Sequence, residues 1–282
     1  MNTFDGADGA QVPTHEASTV SEYVTKVLAI VDGWASAWRA QHDDEGLEVW
    51  YRGHSKTSYR LLPSAFRGNI DHDSMFNRFT TMAPQYLQAK PASEWEWYFT
   101  AQHHGIPTRL LDWTEDPFIG LHFAMLDALD GNGNRDDPPV VWIIEAASLN
   151  AILQGEDKVF VPHGGGAGAL RPWLPGKNSE LVSQPSDEHT DGRTPVAILP
   201  AWTTPRIQAQ RGRFTVHGTE QTPLDEYYLH AKDELRRTHI ARIRLENAKG
   251  IARELRRLGF ALHRLFPEPE RLAEHLKSQG SG

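Results

Sequence analysis

The stretch Gln102-His103-His104-Gly105-Ile106-Pro107-Thr108-Arg109-Leu110-Leu111-Asp112-Trp113-Thr114-Glu115-Asp116-Pro117-Phe118 decides how the chain is read. Two neighbouring histidines come first. Gly105 then suits a helix stop, and Pro107 prevents the helix from resuming. Arg109 to Trp113 is short and apolar enough for a buried strand. Asp116 followed by Pro117 gives an N-cap and a proline at the first helical position. Polar groups at the end of a buried strand, beside a helix N-terminus, are where folds of this kind place ligands. Asp112 and Thr114 sit at that point.

Two further patches work outward from it. Upstream is Trp50-Tyr51-Arg52-Gly53-His54, leading into Leu61-Leu62-Pro63-Ser64-Ala65-Phe66-Arg67. Leu47, Val49 and Tyr51 alternate with Glu48, Trp50 and Arg52, which is strand periodicity. Gly53 allows the backbone to turn or to approach a ligand closely. Downstream is Arg206-Ile207-Gln208-Ala209-Gln210-Arg211-Gly212-Arg213-Phe214. Arg52, Thr114 and Gln210 each fall at an apparent strand end, among residues with no obvious core role. They are expected to line one cleft.

Together these motifs resemble the FRG domain, a family named for its Phe/Tyr-Arg-Gly triplet. The resemblance rests on Tyr51-Arg52-Gly53, on Leu61-x-Pro63-Ser64-x-Phe66-Arg67, and on the Gln102 to Thr114 motif. It extends to Arg206–Thr215 and to Leu265-Phe266-Pro267, and so spans about 47 to 276. The family is thought to be related to the ADP-ribosyltransferase fold and occurs in bacterial and phage-conflict settings. The resemblance therefore implies an NAD-dependent ADP-ribosyltransferase, an effector or defence toxin with a macromolecular target and a possible antitoxin or regulator.

It also implies roles. By residue type alone Arg52 reads as a surface or ion-paired arginine. Likeness to the transferases makes it the first-strand residue that holds NAD, its planar fork suited to phosphate. Thr114 takes the place of the second-strand Ser or Thr that orients a ribose hydroxyl, with Asp112 holding local geometry. Gly53, His104, Asp112 and Thr114 join Arg52 as expected NAD contacts. Gln210 stands where transferases carry a catalytic glutamate. A glutamine can hydrogen-bond, but it neither stabilises an oxocarbenium by charge nor takes a proton. This departure leaves three cases open: an altered mechanism, a carboxylate from elsewhere, or no catalysis. Two other readings stand beside the enzyme. One is a binding module for a nucleotide or a partner protein, without turnover. The weaker one is a hydrolase or nuclease using His103 or His104.

Bulk properties narrow the field. The 282 residues are 39% hydrophobic and 23% charged, the balance of a globular protein. The net charge of −8 argues against a non-specific grip on nucleic-acid phosphates. The absence of cysteine removes disulfides, thiolate nucleophiles and Cys-ligated zinc. It suits a cytoplasmic protein. Neither a signal peptide nor an apolar run long enough to span a membrane is visible. Adjacent helical histidines point about 100° apart, so His103 and His104 do not chelate one metal together, and no metal is expected.

The remaining elements follow from pattern. Residues 1–18 are expected to be a disordered tail, and 19–282 a single domain. Thr19-x-x-Glu22 and Ser93-x-x-Glu96 are capping boxes, the first opening an N-terminal helix over 19–40. Apolar spacing over 73–90 predicts another helix, and Asp116 opens one running to about Leu129. Val140–Ile144 is a continuous apolar strand. The Gly- and Pro-rich segment 155–195 is expected to be a long loop or insertion. Strands are expected at 196–199, 206–210, 214–217, 239–245 and 261–265, and helices around 251–258 and 269–277. The predicted class is α+β: a mixed or antiparallel sheet with flanking helices, ADP-ribosyltransferase-like. Of the two histidines, His104 is expected to face the cleft and His103 to pack.

Overall fold

A computed structural model describes residues 11–39, 46–129, 136–163, 168–176, 192–201, 204–237, 239–260, 265–266, 269, 273 and 276–277. In chain order its elements are β1 (Thr14–Ala17), α1 (Val20–Arg39), β2 (Val49–His54), α2 (His72–Met82), α3 (Glu94–His103), β3 (Leu110–Thr114), α4 (Pro117–Ala124) and α5 (Leu126–Leu129). There follow β4 (Val140–Glu145), α6 (Ala146–Gln154), β5 (Val196–Ile198), α7 (Pro205–Ala209), β6 (Gly212–Val216), α8 (Leu224–Leu229), α9 (Glu234–Arg237), β7 (Ile240–Leu245) and α10 (Ala248–Arg257). The class is α+β. No described helix is long and apolar enough to cross a membrane.

Among the described residues, seven strands form one mixed sheet in the order β1-β7-β4-β2-β3-β6-β5. Only β1 and β7 run parallel. Alternation decides what each face carries. On one face Trp50, Leu111, Trp113, Trp142, Ala197 and Ile240, from five strands, share a single core with α6 and α8. The opposite face is divided. Tyr51, Val141, Ile143 and Ile243 pack under α1, α4 and α10. Leu110, Phe214, Val216 and Ile198 pack under α2 and α3. The Tyr51–Thr114 pairing shows that these two clusters lie on the same side of the sheet.

The local signals act as their chemistry requires. Thr19 and Ser93 accept from the backbone N–H groups of Glu22 and Glu96 at 3.1 Å, and each glutamate reaches back to the N–H preceding the cap, on Ser18 and Ala92. Asp116 caps α4 by accepting from Phe118 and Ile119. That helix breaks at Met125 and resumes as α5, so the single helix expected to Leu129 is two.

Three other expectations change. Thr14–Ala17, expected within a disordered tail, add a parallel edge strand to β7, fastened by Arg242 Nε donating to the Thr14 hydroxyl at 2.9 Å. Residues 1–10 lie outside the described ones. Residues 206–210 are not a strand. Thr204 caps the short helix α7 and Pro205 occupies its first turn. The segment 155–195 is partly built into the core. Phe160 bridges to Ile198, and Leu170, Trp173 and Leu174 are buried. Its residues 164–167 and 177–191 lie outside the described ones, as do most of the expected strand 261–265 and helix 269–277.

Candidate functional site

The divided face holds a cleft of ≈ 240 Å³ where β2 and β3 meet, with Phe99 and His103 of α3 on one side and Phe123 of α4 on the other. Tyr51 pairs with Thr114, and no further residue of β2 pairs with β3. Past that pair the strands part. Arg52, Gly53, Asp112, Thr114 and Gln210 all line the cleft. The three sequence patches therefore converge as expected.

Arg52 fills the gap between the strands. Its Nη1 donates to the Asp112 carbonyl and lies 3.8 Å from the Asp112 carboxylate. Its Nε donates to Nε2 of His54 at 3.0 Å. Burial lowers the guanidinium pKa to about 10, against the raising effect of Asp112, so it stays charged at neutral pH. His54 is itself buried, and burial, reinforced by Arg52 and Arg67, pushes its pKa down to about 3. A neutral imidazole is what an acceptor for Arg52 must be. His54 is thus a positioning group that sequence reading missed. Its spacing two residues after Arg52, which puts both on one face of the strand, was the signal available.

Asp112 is held from the other side. Gln102 Nε2 donates to Asp112 Oδ2 at 2.9 Å, and the Gln102 oxygen accepts from the Thr108 hydroxyl. The Ser64 hydroxyl accepts from the Thr108 N–H at 3.2 Å, and Ala65 N–H donates to the Thr108 carbonyl at 3.1 Å. The Pro63-Ser64 motif and the Gln102–Thr108 motif thus form one chain of hydrogen bonds ending at Asp112. Arg109 is scaffold. Its buried guanidinium donates to the Trp173 carbonyl at 2.8 Å, and its N–H donates to the Tyr98 hydroxyl at 2.7 Å.

Several residues do something other than expected. Gly53 lines the cleft, but its missing side chain is needed by α4. A Cβ there would lie 2.2 Å from the Gly120 carbonyl and 2.3 Å from the Ala124 nitrogen. Thr114 is buried, and its hydroxyl accepts from the Asp116 N–H at 3.1 Å, which fixes the entry to α4. Gln210 follows the last residue of α7 rather than ending a strand, and its Nε2 donates to the Leu265 carbonyl at 3.0 Å. The histidine expectation reverses. His103 lines the cleft, whereas the exposed His104 lies in a separate groove beside Phe79 and Met82. The reason is that α3 ends at His103 and His104 is its C-cap, with backbone φ −88° and ψ 11°.

With this geometry in place, comparison with known families matches residues 47–133 to the FRG domain. That segment is an FRG-domain match. The match covers β2, α2, α3, β3 and α4, so it includes Arg52, His54, Ser64, Gln102, Asp112 and Thr114. Gln210 and Arg206 lie beyond it. The matched segment thus contains both the strands that part and the hydrogen-bond chain that holds Asp112. No curated protein and no solved structure matches the chain.

Proposed function

We propose that this FRG-domain protein is an NAD-dependent ADP-ribosyltransferase that modifies a macromolecular target, acting as an effector or defence toxin. The observation that carries the reading is the charge of the cleft. Arg52, Arg206 and Arg213 line it, against Asp112 as the one acidic side chain among the described lining residues. An excess of fixed guanidinium groups suits a pyrophosphate. Arg52 is held in place by His54 and Asp112, Arg206 sits over the Phe266 ring at 4.8 Å, and Arg213 pairs with Glu115 while its Nε is buried without an acceptor among the described residues.

In this reading Arg52 contacts the pyrophosphate. Thr114 and Gln210 contact the nicotinamide ribose. Because Gln210 Nε2 is committed to Leu265, its oxygen is the atom left to accept from a ribose hydroxyl. The aromatic rings of Phe99 and Phe123 wall the site and exclude water from the breaking glycosidic bond. Gln210 itself favours the second reading, a nucleotide-binding module without turnover, since it brings no charge.

The two readings separate on one measurement. Purified protein is incubated with NAD, with and without cell extract, and free nicotinamide is measured. Release that depends on extract, with radiolabel left on a macromolecule, is the expected result. NAD binding without release under either condition points to the module.

Two substitutions test the assignments. Arg52→Lys keeps the charge but loses the fork and the bond to His54. NAD affinity is expected to fall by about 2 kcal/mol, roughly 30-fold, while the melting temperature of the free protein moves little. An equal fall in stability with unchanged affinity would make Arg52 a scaffold residue. His103→Ala is expected to slow nicotinamide release several-fold, and His104→Ala to leave it unchanged. The opposite pattern would remove His103 from the site.

A further inference from the structure

We infer that Asp112 is the catalytic carboxylate of this cleft, supplying the charge that Gln210 lacks. The inference rests on the NAD reading given above. Asp112 is the one acidic side chain among the described residues that line the cleft. The neighbouring acids are engaged elsewhere. Glu115 pairs with Arg213 and with Arg211 at 3.2 Å, and Asp116 caps α4.

The placement of Asp112 is unusual for a strand residue at the centre of a sheet. Its flanking residues Leu111 and Trp113 are buried, yet its side chain is 57% exposed. Exposure here means exposure to the cleft, since Asp112 projects from the face that the cleft divides, opposite its partner Phe214 on β6. The group is also oriented. Gln102 donates to Oδ2 and the Arg52 guanidinium lies nearest the same oxygen, at 3.8 Å. Oδ1 accepts no hydrogen bond among the described residues. One oxygen is therefore anchored and the other is presented to a ligand. Gln102 is fixed in turn by Thr108, so the carboxylate does not need to reorganise when charge develops beside it.

The step balances without a further cofactor. The C1′–N glycosidic bond of NAD breaks, and its electron pair leaves with neutral nicotinamide. Positive charge builds on the ribose C1′ and ring oxygen, where Asp112 opposes it electrostatically. A lone pair on water, or on a hydroxyl or amine of the target, forms the new bond to C1′. The proton of that nucleophile is released to solvent. With water the products are ADP-ribose, nicotinamide and one proton.

Asp112→Asn tests this, because it keeps the shape and the Gln102 contact and removes only the charge. NAD affinity, followed by calorimetry, is expected to stay within about threefold, while nicotinamide release falls at least ~100-fold. Adding Gln210→Glu to Asp112→Asn is expected to recover part of the lost rate. Release at the wild-type rate in Asp112→Asn overturns the inference and leaves the NAD reading intact. Loss of affinity as large as the loss of rate also overturns it, making Asp112 a binding group. A wild-type protein that neither binds nor cleaves NAD overturns both.

Discussion

Gly53→Ala is expected to cost more than 3 kcal/mol of stability and to leave little folded protein at 37 °C. Overpacking a core typically costs about 1–3 kcal/mol, because side chains can shift to relieve it. Here the added Cβ would meet the Gly120 carbonyl at 2.2 Å and the Ala124 nitrogen at 2.3 Å, both backbone atoms of α4 or its near neighbours. Backbone cannot rotate away. The contact is tight in both directions, since a Cβ on Gly120 would lie 2.8 Å from the Cβ of Tyr51. Relief requires moving α4 off the sheet, and with it Leu121 and Ala124, which are fully buried. Thermal melting followed by circular dichroism measures the loss. A Gly53→Ala protein that melts near the wild-type temperature but loses NAD affinity would return Gly53 to ligand contact.

Acidification is the second large effect. His54, His122, His217 and His239 are buried, and burial is the leading cause that lowers their pKa values to about 3, 4, 3 and 4. Arg52 and Arg67 add to the effect at His54, and Arg109 at His217. A histidine whose folded pKa lies below its unfolded value of 6.5 binds fewer protons in the folded state. Its contribution is complete above pH 6.5 and is lost as the pH falls toward the folded value. Each such group costs about 1 kcal/mol between pH 7 and 5.5.

Glu145 runs the other way. Burial raises its pKa to about 7, so the folded state takes up a proton there first and gains relative stability as the pH falls. Its gain offsets about 1.5 kcal/mol, leaving a net loss of about 3 kcal/mol across that interval. Urea denaturation at pH 7.0, 6.5, 6.0 and 5.5 measures it. His122→Phe is expected to flatten the pH dependence by one proton, because burial alone depresses His122 and neither ring nitrogen has a partner among the described residues. Stability that stays level down to pH 5.5 would mean these imidazoles are solvated.

Much of this was legible where local chemistry decides structure. Asp116-Pro117, Ser93 with Glu96, and Thr19 with Glu22 announce helix starts because capping needs only residues a few positions apart. The alternation from Leu47 to Arg52 assigned Tyr51 and Trp50 to opposite cores. What escaped depended on distant partners or on too little chain. Five residues of α7 are too few to show a helical period, so Arg206–Gln210 passed for a strand. Thr14–Ala17 is polar and looks like a tail, and it is strand because β7 offers an edge more than 200 residues later. Trp173 sits in a Gly- and Pro-rich stretch, and the buried Arg109 is what draws its carbonyl into the core. For the site, the family resemblance singled out Arg52, and placement at a strand end singled out Asp112 and Thr114. Only the geometry exposed the support from Gln102, because hydrogen bonding from a strand across to a helix leaves no periodic trace, whereas the two-residue spacing of His54 from Arg52 was there to be read.

The single Tyr51–Thr114 pairing has a mechanical meaning. The strands β1, β7, β4 and β2 form one leaf and β3, β6 and β5 the other. The large core beneath α6 and α8 binds both leaves along the back, like the spine of a book. In front, each leaf carries its own core, and α4 starts from β3 on one leaf and packs against β2 on the other. Arg52 is rooted on one leaf and grips Asp112 on the other. The link between the leaves is thus the Arg52 side chain on the Asp112 carbonyl, and the group that ties the two leaves together is the same one that would meet the ligand.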